Sequence, residues 1–175
     1  MKRKYELKAR AQKQAETRRR ITEATVELHE EVGPARTTLA EVARRAGVTR
    51  LTVYNNFPEE RELFAACQGH WLTRHPPPDL DPGDGLESVL SSLYAWYRET
   101  ARMAENIRRD RALVPTLDAL MRETGDARMA GLARALGGGP MIALGLDFWT
   151  WRRLAAEGLS DSQAAALMAR AARLS

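Results

Sequence analysis

Arginine and asparagine side chains can pair bidentately with guanine and adenine edges, and hydroxyls beside a helix N-terminus hold phosphates. Residues 38–57, T-L-A-E-V-A-R-R-A-G-V-T-R-L-T-V-Y-N-N-F, gather all of these groups in one stretch. Its first half is apolar at Leu39, Val42, Ala43 and Ala46, the spacing of one helical face, with Glu41, Arg44 and Arg45 opposite. Gly47 stands where a left-handed C-terminal residue is wanted, Val48 can tuck back against the helix, and Thr49 can N-cap a second one. In that second helix Val53 and then Phe57 face inward, leaving Arg50, Leu51, Asn55 and Asn56 outward. The pattern predicts a helix-turn-helix, whose second helix lies in the major groove of DNA. An αα-hairpin in any helical bundle shares this turn chemistry, so the flanking residues must decide between the two.

The longer run V-A-R-R-A-G-V-T-R-L-T-V-Y-N-N-F-P-E-E-R-E-L-F resembles the core signature of the tetracycline-repressor (TetR/AcrR) family of bacterial regulators. It matches at Val42, Ala43, Ala46, Gly47, Val48, Thr49, Thr52, Val53, Tyr54, Phe57 and Leu63. The resemblance implies a symmetric homodimer whose two reading heads enter successive major grooves of a near-palindromic double-stranded DNA operator. It also implies a C-terminal helical bundle that binds a small-molecule effector. Carried over by position, it implies phosphate contacts from Thr38, Thr49, Thr52 and Tyr54, and base contacts from Arg50, Leu51 and Asn55. Tyr54 has a competing reading as a core ring with a wet hydroxyl. Two positions depart from the family pattern. A lysine is usual three residues after the aromatic that Phe57 matches, and here that position is Glu60, with Arg61 the neighbouring candidate for the phosphate contact. Leu51 replaces a small residue and could touch a thymine methyl. A weaker likeness, D-F-W-T-W-R-R-L-A-A-E-G-L-S-D-S-Q-A-A-A-L-M over 147–168, resembles the dimerising end of some family members.

The elements that must position these groups follow from helical periodicity. Residues from about 5 to 32 contain neither Gly nor Pro and predict one long helix. Ile21, Ala24, Thr25, Leu28 and Val32 form its buried face, and its first half is polar nearly all round. Gly33-Pro34 ends it, Thr37 or Thr38 caps the next helix, and Glu41 stands three residues after Thr38 as in a capping box. Residues 1–57 thus predict a three-helix DNA-binding unit. Pro58 as a helix N1 residue, with Glu59 and Glu60 behind it, opens a fourth helix to about Arg74, a candidate lever. A proline-rich loop follows from His75. Further helices are predicted over about 86–107 with Asp84 and Glu87 as its cap, 111–123 with Asp110 as cap and Pro115 as a kink or late start, 126–136, 140–157 and 160–173. No strand pattern or internal repeat is present. The predicted fold class is all-α, an N-terminal three-helix bundle with helix-turn-helix plus a C-terminal helical ligand-binding and dimerisation bundle over 58–175, about nine or ten helices in all.

Leu144, Phe148, Trp151, Ala155, Leu167, Met168 and Ala171 recur at helical spacing in the last two predicted helices. So much apolar surface at a chain end predicts burial by a second copy. Trp71, Trp96, Tyr97, Met103, Met121 and Trp149 are the apolar candidates for lining an effector cavity, with plain core packing as the alternative for each.

Net charge is +4, and its placement says more than its size. Lys2, Arg3, Lys4, Lys8, Arg10, Lys13, Arg18, Arg19 and Arg20 stand against Glu6 and Glu16 at the N-terminal end, while residues 65–175 hold equal numbers of both signs. A basic end beside a helix-turn-helix faces a polyanion; taken alone, it is also consistent with a solvated helix. No apolar run approaches the roughly 18 residues of a bilayer span, and the N-terminus lacks the apolar core of a signal peptide, so a cytoplasmic protein with no membrane partner is expected. One cysteine, Cys67, permits no intramolecular disulfide and fits a reducing compartment. His29, His70 and His75 are scattered, with no H-E-x-x-H and no glycine-rich phosphate loop after a strand. Gly137, Gly138 and Gly139 form a linker, and Asp79, Asp81 and Asp84 lack the EF-hand order. No catalytic site, cofactor or metal is expected. A sequence-specific DNA-binding transcriptional regulator, a repressor released by an effector, is the expectation. The rival is a helical ligand-binding or scaffold protein that has lost DNA binding, with Glu60 as its support.

Overall fold

The computed structural model describes the backbone of residues 2–174 and the side chains of residues 8–174. Among the described residues it is all-α. The helices are α1 (Lys2–Glu31), α2 (Leu39–Ala46), α3 (Arg50–Asn56), α4 (Glu60–Arg74), α5 (Leu86–Asp110), α6 (Pro115–Met121), α7 (Ala127–Ala135), α8 (Pro140–Leu146), α9 (Phe148–Ala156) and α10 (Asp161–Arg173). Packing divides the chain into two units, Met1–His75 with Arg102–Leu120, and Pro76–Ala101 with Met121–Ser175, so α5 contributes to both.

In the first unit α1 packs on α2, α3 and α4. Ile21, Ala24, Val26 and Leu28 from α1 meet Val42, Ala43 and Ala46 of α2, Val53 of α3, Phe57, Leu63 and Cys67 in one buried cluster. Apolar burial at about 25 cal/mol per Å² drives this assembly and orders two helices too short to persist alone. Helix α4 belongs to the same cluster, so the boundary expected after residue 57 marks the end of α3 and not of the compact unit. Two expected helix starts differ. Helix α4 begins at Glu60 with Glu59 as N-cap, leaving Pro58 outside it. Asp110 does not cap the following helix but ends α5, where its carboxylate accepts from the Ala35 amide at 3.0 Å.

That end of α5 also serves the last turn of α1, whose carbonyls have no partners within their own helix. The Asn106 amide donates to the His29 carbonyl at 2.9 Å and the Glu30 carbonyl at 2.8 Å, and Arg109 donates to the Val32 carbonyl at 3.1 Å. His29 is buried beside this junction with its ring stacked on Phe64, centroids 5.4 Å apart. Burial pushes its pKa down to about 4, outweighing the opposite pull of Asp110. Burial pushes the Asp110 carboxyl up, but the Arg109 guanidinium and the Ala35 amide win and hold it below the usual range.

In the second unit α8 packs on α7, α9 and α10, and α9 on α10. Leu90, Leu93, Tyr94, Tyr97, Phe148, Trp151, Ala164, Ala165 and Met168 are buried. The single helix expected over 140–157 is two, because Asp147 breaks it: its carboxylate accepts from the Trp149 and Thr150 amides at 2.9 and 3.1 Å and starts α9. The carbonyls just before the break are taken by tyrosines of α5, Tyr94 Oη donating to Gly145 at 2.7 Å and Tyr97 Oη to Leu146 at 2.8 Å. The ranges 111–123 and 126–136 predict a break at Thr124-Gly125, but a π-turn over Arg122–Asp126 carries α6 into α7. Asp161 ties three helices, receiving a bidentate Arg98 at 2.9 and 2.8 Å and the Trp151 indole at 3.0 Å.

Candidate nucleic-acid interface

The α2–turn–α3 segment is set by its caps. Thr38 Oγ1 accepts from the Glu41 amide at 3.2 Å and starts α2, while Thr37 donates back to the Gly33 carbonyl at 2.9 Å. Glu41 does not complete a capping box, because its carboxylate is held by Arg44. Gly47 takes φ 65 and ψ 39, and the Val48 amide reaches back to the Ala43 carbonyl at 2.9 Å, closing α2 in a Schellman turn. Thr49 Oγ1 accepts from the Thr52 amide at 3.1 Å, which starts α3, and its hydroxyl lies 2.8 Å from that of Thr52.

Helix α3 is anchored by one face. Val53 is buried in the core with Phe57 just beyond, and the opposite face carries Leu51, 68% exposed, and Tyr54, 54% exposed, together with exposed Arg50 and Asn55. Thr38 and Thr49 are also exposed, and Thr52 is half-buried. The structure therefore puts the expected phosphate and base contacts of α3 on one outward surface, and Tyr54 is no core ring. Asn56 is a correction: it was expected outward, but it is buried and donates to the Thr52 carbonyl at 2.8 Å. Arg61 is exposed in the first turn of α4, between Glu60 and Glu62.

The basic residues divide into two groups. Arg19 pairs with Glu16 and Glu23, both at 2.6 Å, Arg44 with Glu41, and Arg45 with Glu31 at 2.7 Å. Arg18 places its guanidinium 4.0 Å from the Phe57 ring centre and donates to the Asn56 carbonyl. Lys8, Arg10, Lys13 and Arg50 are exposed and show no ion pair among the described residues. The side chains of Lys2, Arg3 and Lys4, counted in the basic run, lie outside the described residues. The role of Arg18 could not be found from sequence, since its partners lie 38 positions away with no local pattern linking them.

Residues expected at a dimer face separate by burial. Leu144 and Leu167 are on the surface at 49% and 38% exposed, with Ala155 and Ala171 half-buried. Phe148, Trp151 and Met168 are corrections: all three are buried in the second unit's own core, where Phe148 and Trp151 pack on Tyr97. The expected effector-pocket residues separate likewise. Tyr97 is buried and hydrogen-bonded, and Met103 belongs to the core beneath the helix-turn-helix, so neither lines an open cavity. Trp149 is another correction, standing 48% exposed on the surface. Trp71 is half-buried and stacks on His75 at 4.0 Å, Trp96 is half-buried against Tyr97 at 5.9 Å, and Met121 is half-buried. An open groove is lined by Leu159, Ala166 and Leu167 with Glu157, Gln163 and Arg170. Among the described residues no group of His, Cys, Asp and Glu is placed to hold a metal ion, and no helix is long and apolar enough to cross a membrane.

Comparison with known proteins adds to this geometry. Residues 21–67 match the family model for bacterial regulatory proteins of the tetR family. Two uncharacterized HTH-type transcriptional regulators of Mycobacterium tuberculosis strains and one of Mycobacterium bovis are each 37% identical over 84 residues. The match covers 46% of this chain and 43% of each relative, less than half of either. Two solved structures from Rhodococcus share the fold. A TetR-like transcriptional regulator aligns with TM-score 0.56 at 18% identity over 87% of this chain and 91% of its own. A TetR transcriptional regulator aligns with TM-score 0.50 at 26% identity over 93% of this chain and 96% of its own. The family match spans the buried face of α1, both helices of the reading head and the first half of α4, and the fold beyond it agrees. Over residues 21–67, the segment that carries α2, the turn and α3, this chain is similar to the tetR family of bacterial regulatory proteins.

Proposed function

We propose that this protein is a sequence-specific DNA-binding transcriptional regulator that works as a homodimer in the cytoplasm, a repressor released from its operator by a small-molecule effector. The observation that carries it is the outward face of α3. Leucine and tyrosine stand more than half exposed beside Arg50 and Asn55, on a helix whose other face is locked into the core. Leu51 then meets a thymine methyl, Arg50 and Asn55 read base edges, and Thr38, Thr49, Thr52 and Tyr54 hold phosphates. Arg61 and the exposed Lys8, Arg10 and Lys13 take up the phosphate contact that Glu60 does not supply. A titration of duplex DNA at rising salt tests this. Operator affinity falls steeply as phosphate contacts release counterions, and a flat response would favour the rival of a bundle that has lost DNA binding.

Dimerisation is proposed through the exposed Leu144, Trp149 and Leu167, with Ala155 and Ala171 at the edge, since a second copy removes this apolar surface from water. Effector binding rests on the family alone, with Trp71, Trp96 and Met121 the remaining candidates. No catalytic role is proposed.

A further inference from the structure

The proposed reading surface sits on α3, a helix of seven residues that is too short to hold itself. At its start Thr49 caps it from within. At its end the Asn56 side chain closes onto the Thr52 carbonyl and the Phe57 amide onto that of Val53, but Phe57 leaves the helix at φ −138 and ψ 79 and the last turn holds no basic side chain. The carbonyls beyond these, that of Asn56 among them, lie past the reach of the helix's own amides and carry the negative end of its dipole.

The group that meets them comes from α1. Arg18 is half-buried, whereas Arg19 and Arg20 beside it are exposed. It donates to the Asn56 carbonyl and lays its guanidinium 4.0 Å from the centre of the Phe57 ring. Phe57 and Asn56 are both buried, so the cation is held between a fixed ring and a fixed carbonyl. The Asn56 side chain carries the restraint one turn back, to the Thr52 carbonyl at 2.8 Å.

We propose that Arg18 is a positioning residue for sequence reading: from α1 it clamps the last turn of α3 and fixes the direction in which Tyr54 and Asn55 project, without itself touching DNA. The proposal rests on the DNA-binding reading above. It removes Arg18 from the basic residues available to phosphate and gives it a task that suits arginine better than lysine, because a planar, weakly hydrated guanidinium lies flat on a ring while its in-plane N–H groups donate, whereas an ammonium is a strongly hydrated point charge. A clamp of this kind acts on specific binding more than on general binding. A bidentate base contact depends on side-chain direction, whereas attraction to a phosphate backbone tolerates displacement.

The test uses full-length protein carrying Arg18→Gln, Arg18→Lys or, as a phosphate control, Lys13→Gln. Each is titrated with a selected operator duplex and a random duplex over a salt series, and amide hydrogen exchange is measured without DNA. Arg18→Gln is expected to weaken operator binding about tenfold while random-duplex affinity and the salt slope hold. Arg18→Lys falls between Arg18→Gln and the native protein. Exchange at residues 54–57 speeds up while residues 42–46 stay protected. Lys13→Gln instead weakens both duplexes alike. If Arg18→Gln fails to fold, Arg18→Lys carries the same comparison. Equal loss on both duplexes with a salt slope smaller by about one would make Arg18 a phosphate contact and overturn the proposal. Unchanged exchange at residues 54–57 would overturn it as well. A native protein that prefers no sequence would refute the DNA reading separately, leaving the clamp to be judged by exchange.

Discussion

Tyr54 and Asn55 are neighbours on α3, both exposed, and under this account they do different work. A phenol that holds a phosphate carries no base information, whereas an amide that pairs with adenine does. Tyr54→Ala is therefore expected to weaken binding to every operator variant by a similar factor, and Asn55→Ala to change the preferred base at one position. Gel shifts over a set of operator variants check both, and an identical pattern of loss for the two substitutions removes the base-reading role of Asn55. His29 makes a prediction about pH. Its pKa is held at about 4 in the folded chain by burial, against about 6.5 when unfolded. The unfolded chain thus binds the proton first as pH falls. The contribution to stability is complete above about 6.5 and is lost progressively down to about 4, a loss on the order of 3 kcal/mol. Denaturant midpoints measured across that window should slope downward with acid in the native protein and less so in His29→Gln. Residue types were legible where a local pattern existed: the Thr49 cap and the outward Arg50, Leu51 and Asn55 follow from spacing alone, whereas spacing left the first cap open between Thr37 and Thr38 and the structure gives it to Thr38. Asn56 was not legible, because an amide suited to base pairing is equally suited to closing its own helix, and only the position of α1 decides.

At the scale of elements, the turn between α2 and α3 depends on one backbone conformation. Gly47 at φ 65 meets no crowding, since an added Cβ would find only Arg20 Nη1 at 3.8 Å, so the cost of a side chain there is the left-handed backbone itself. Gly47→Ala is expected to destabilise the protein by about 1 kcal/mol. Gly69→Ala, in the body of α4 with nothing within 4 Å of the added Cβ, is expected to stabilise it by up to about 1 kcal/mol. Chemical denaturation of the pair separates backbone strain from a general effect of adding a methyl group. Helices with a strong apolar stripe and a clear cap, such as α2, were legible in sequence. Breaks decided by distant partners were not. The α8–α9 break needs Tyr94 and Tyr97 to take the Gly145 and Leu146 carbonyls from α5, and the α6–α7 π-turn runs through a glycine that reads locally as a stop.

At the level of the whole molecule, the same limit applies to the proposed dimer face. Helical spacing placed Leu144, Phe148, Trp151 and Leu167 in one apolar set, but periodicity cannot tell which members the subunit covers itself. Folding buries Phe148 and Trp151 and leaves Leu144, Trp149 and Leu167 exposed. Leu167→Glu combined with Leu144→Glu is therefore expected to shift the protein from dimer to monomer in sedimentation while leaving its helical content intact, and to weaken operator binding by separating the two heads. A dimer that survives both charges would place the interface elsewhere.

On the function proposed above, α3 is presented twice by a symmetric dimer and reads DNA sequence. Selection of bound duplexes from a random pool by the purified protein tests it most directly. The expected result is enrichment of a near-palindrome whose half-sites are separated by about one helical turn, roughly 34 Å, or a multiple of it, with one half-site base changing when Asn55 is replaced by Ala. Enrichment of no sequence, or of one that is indifferent to the Asn55→Ala and Leu51→Ala substitutions, would contradict it.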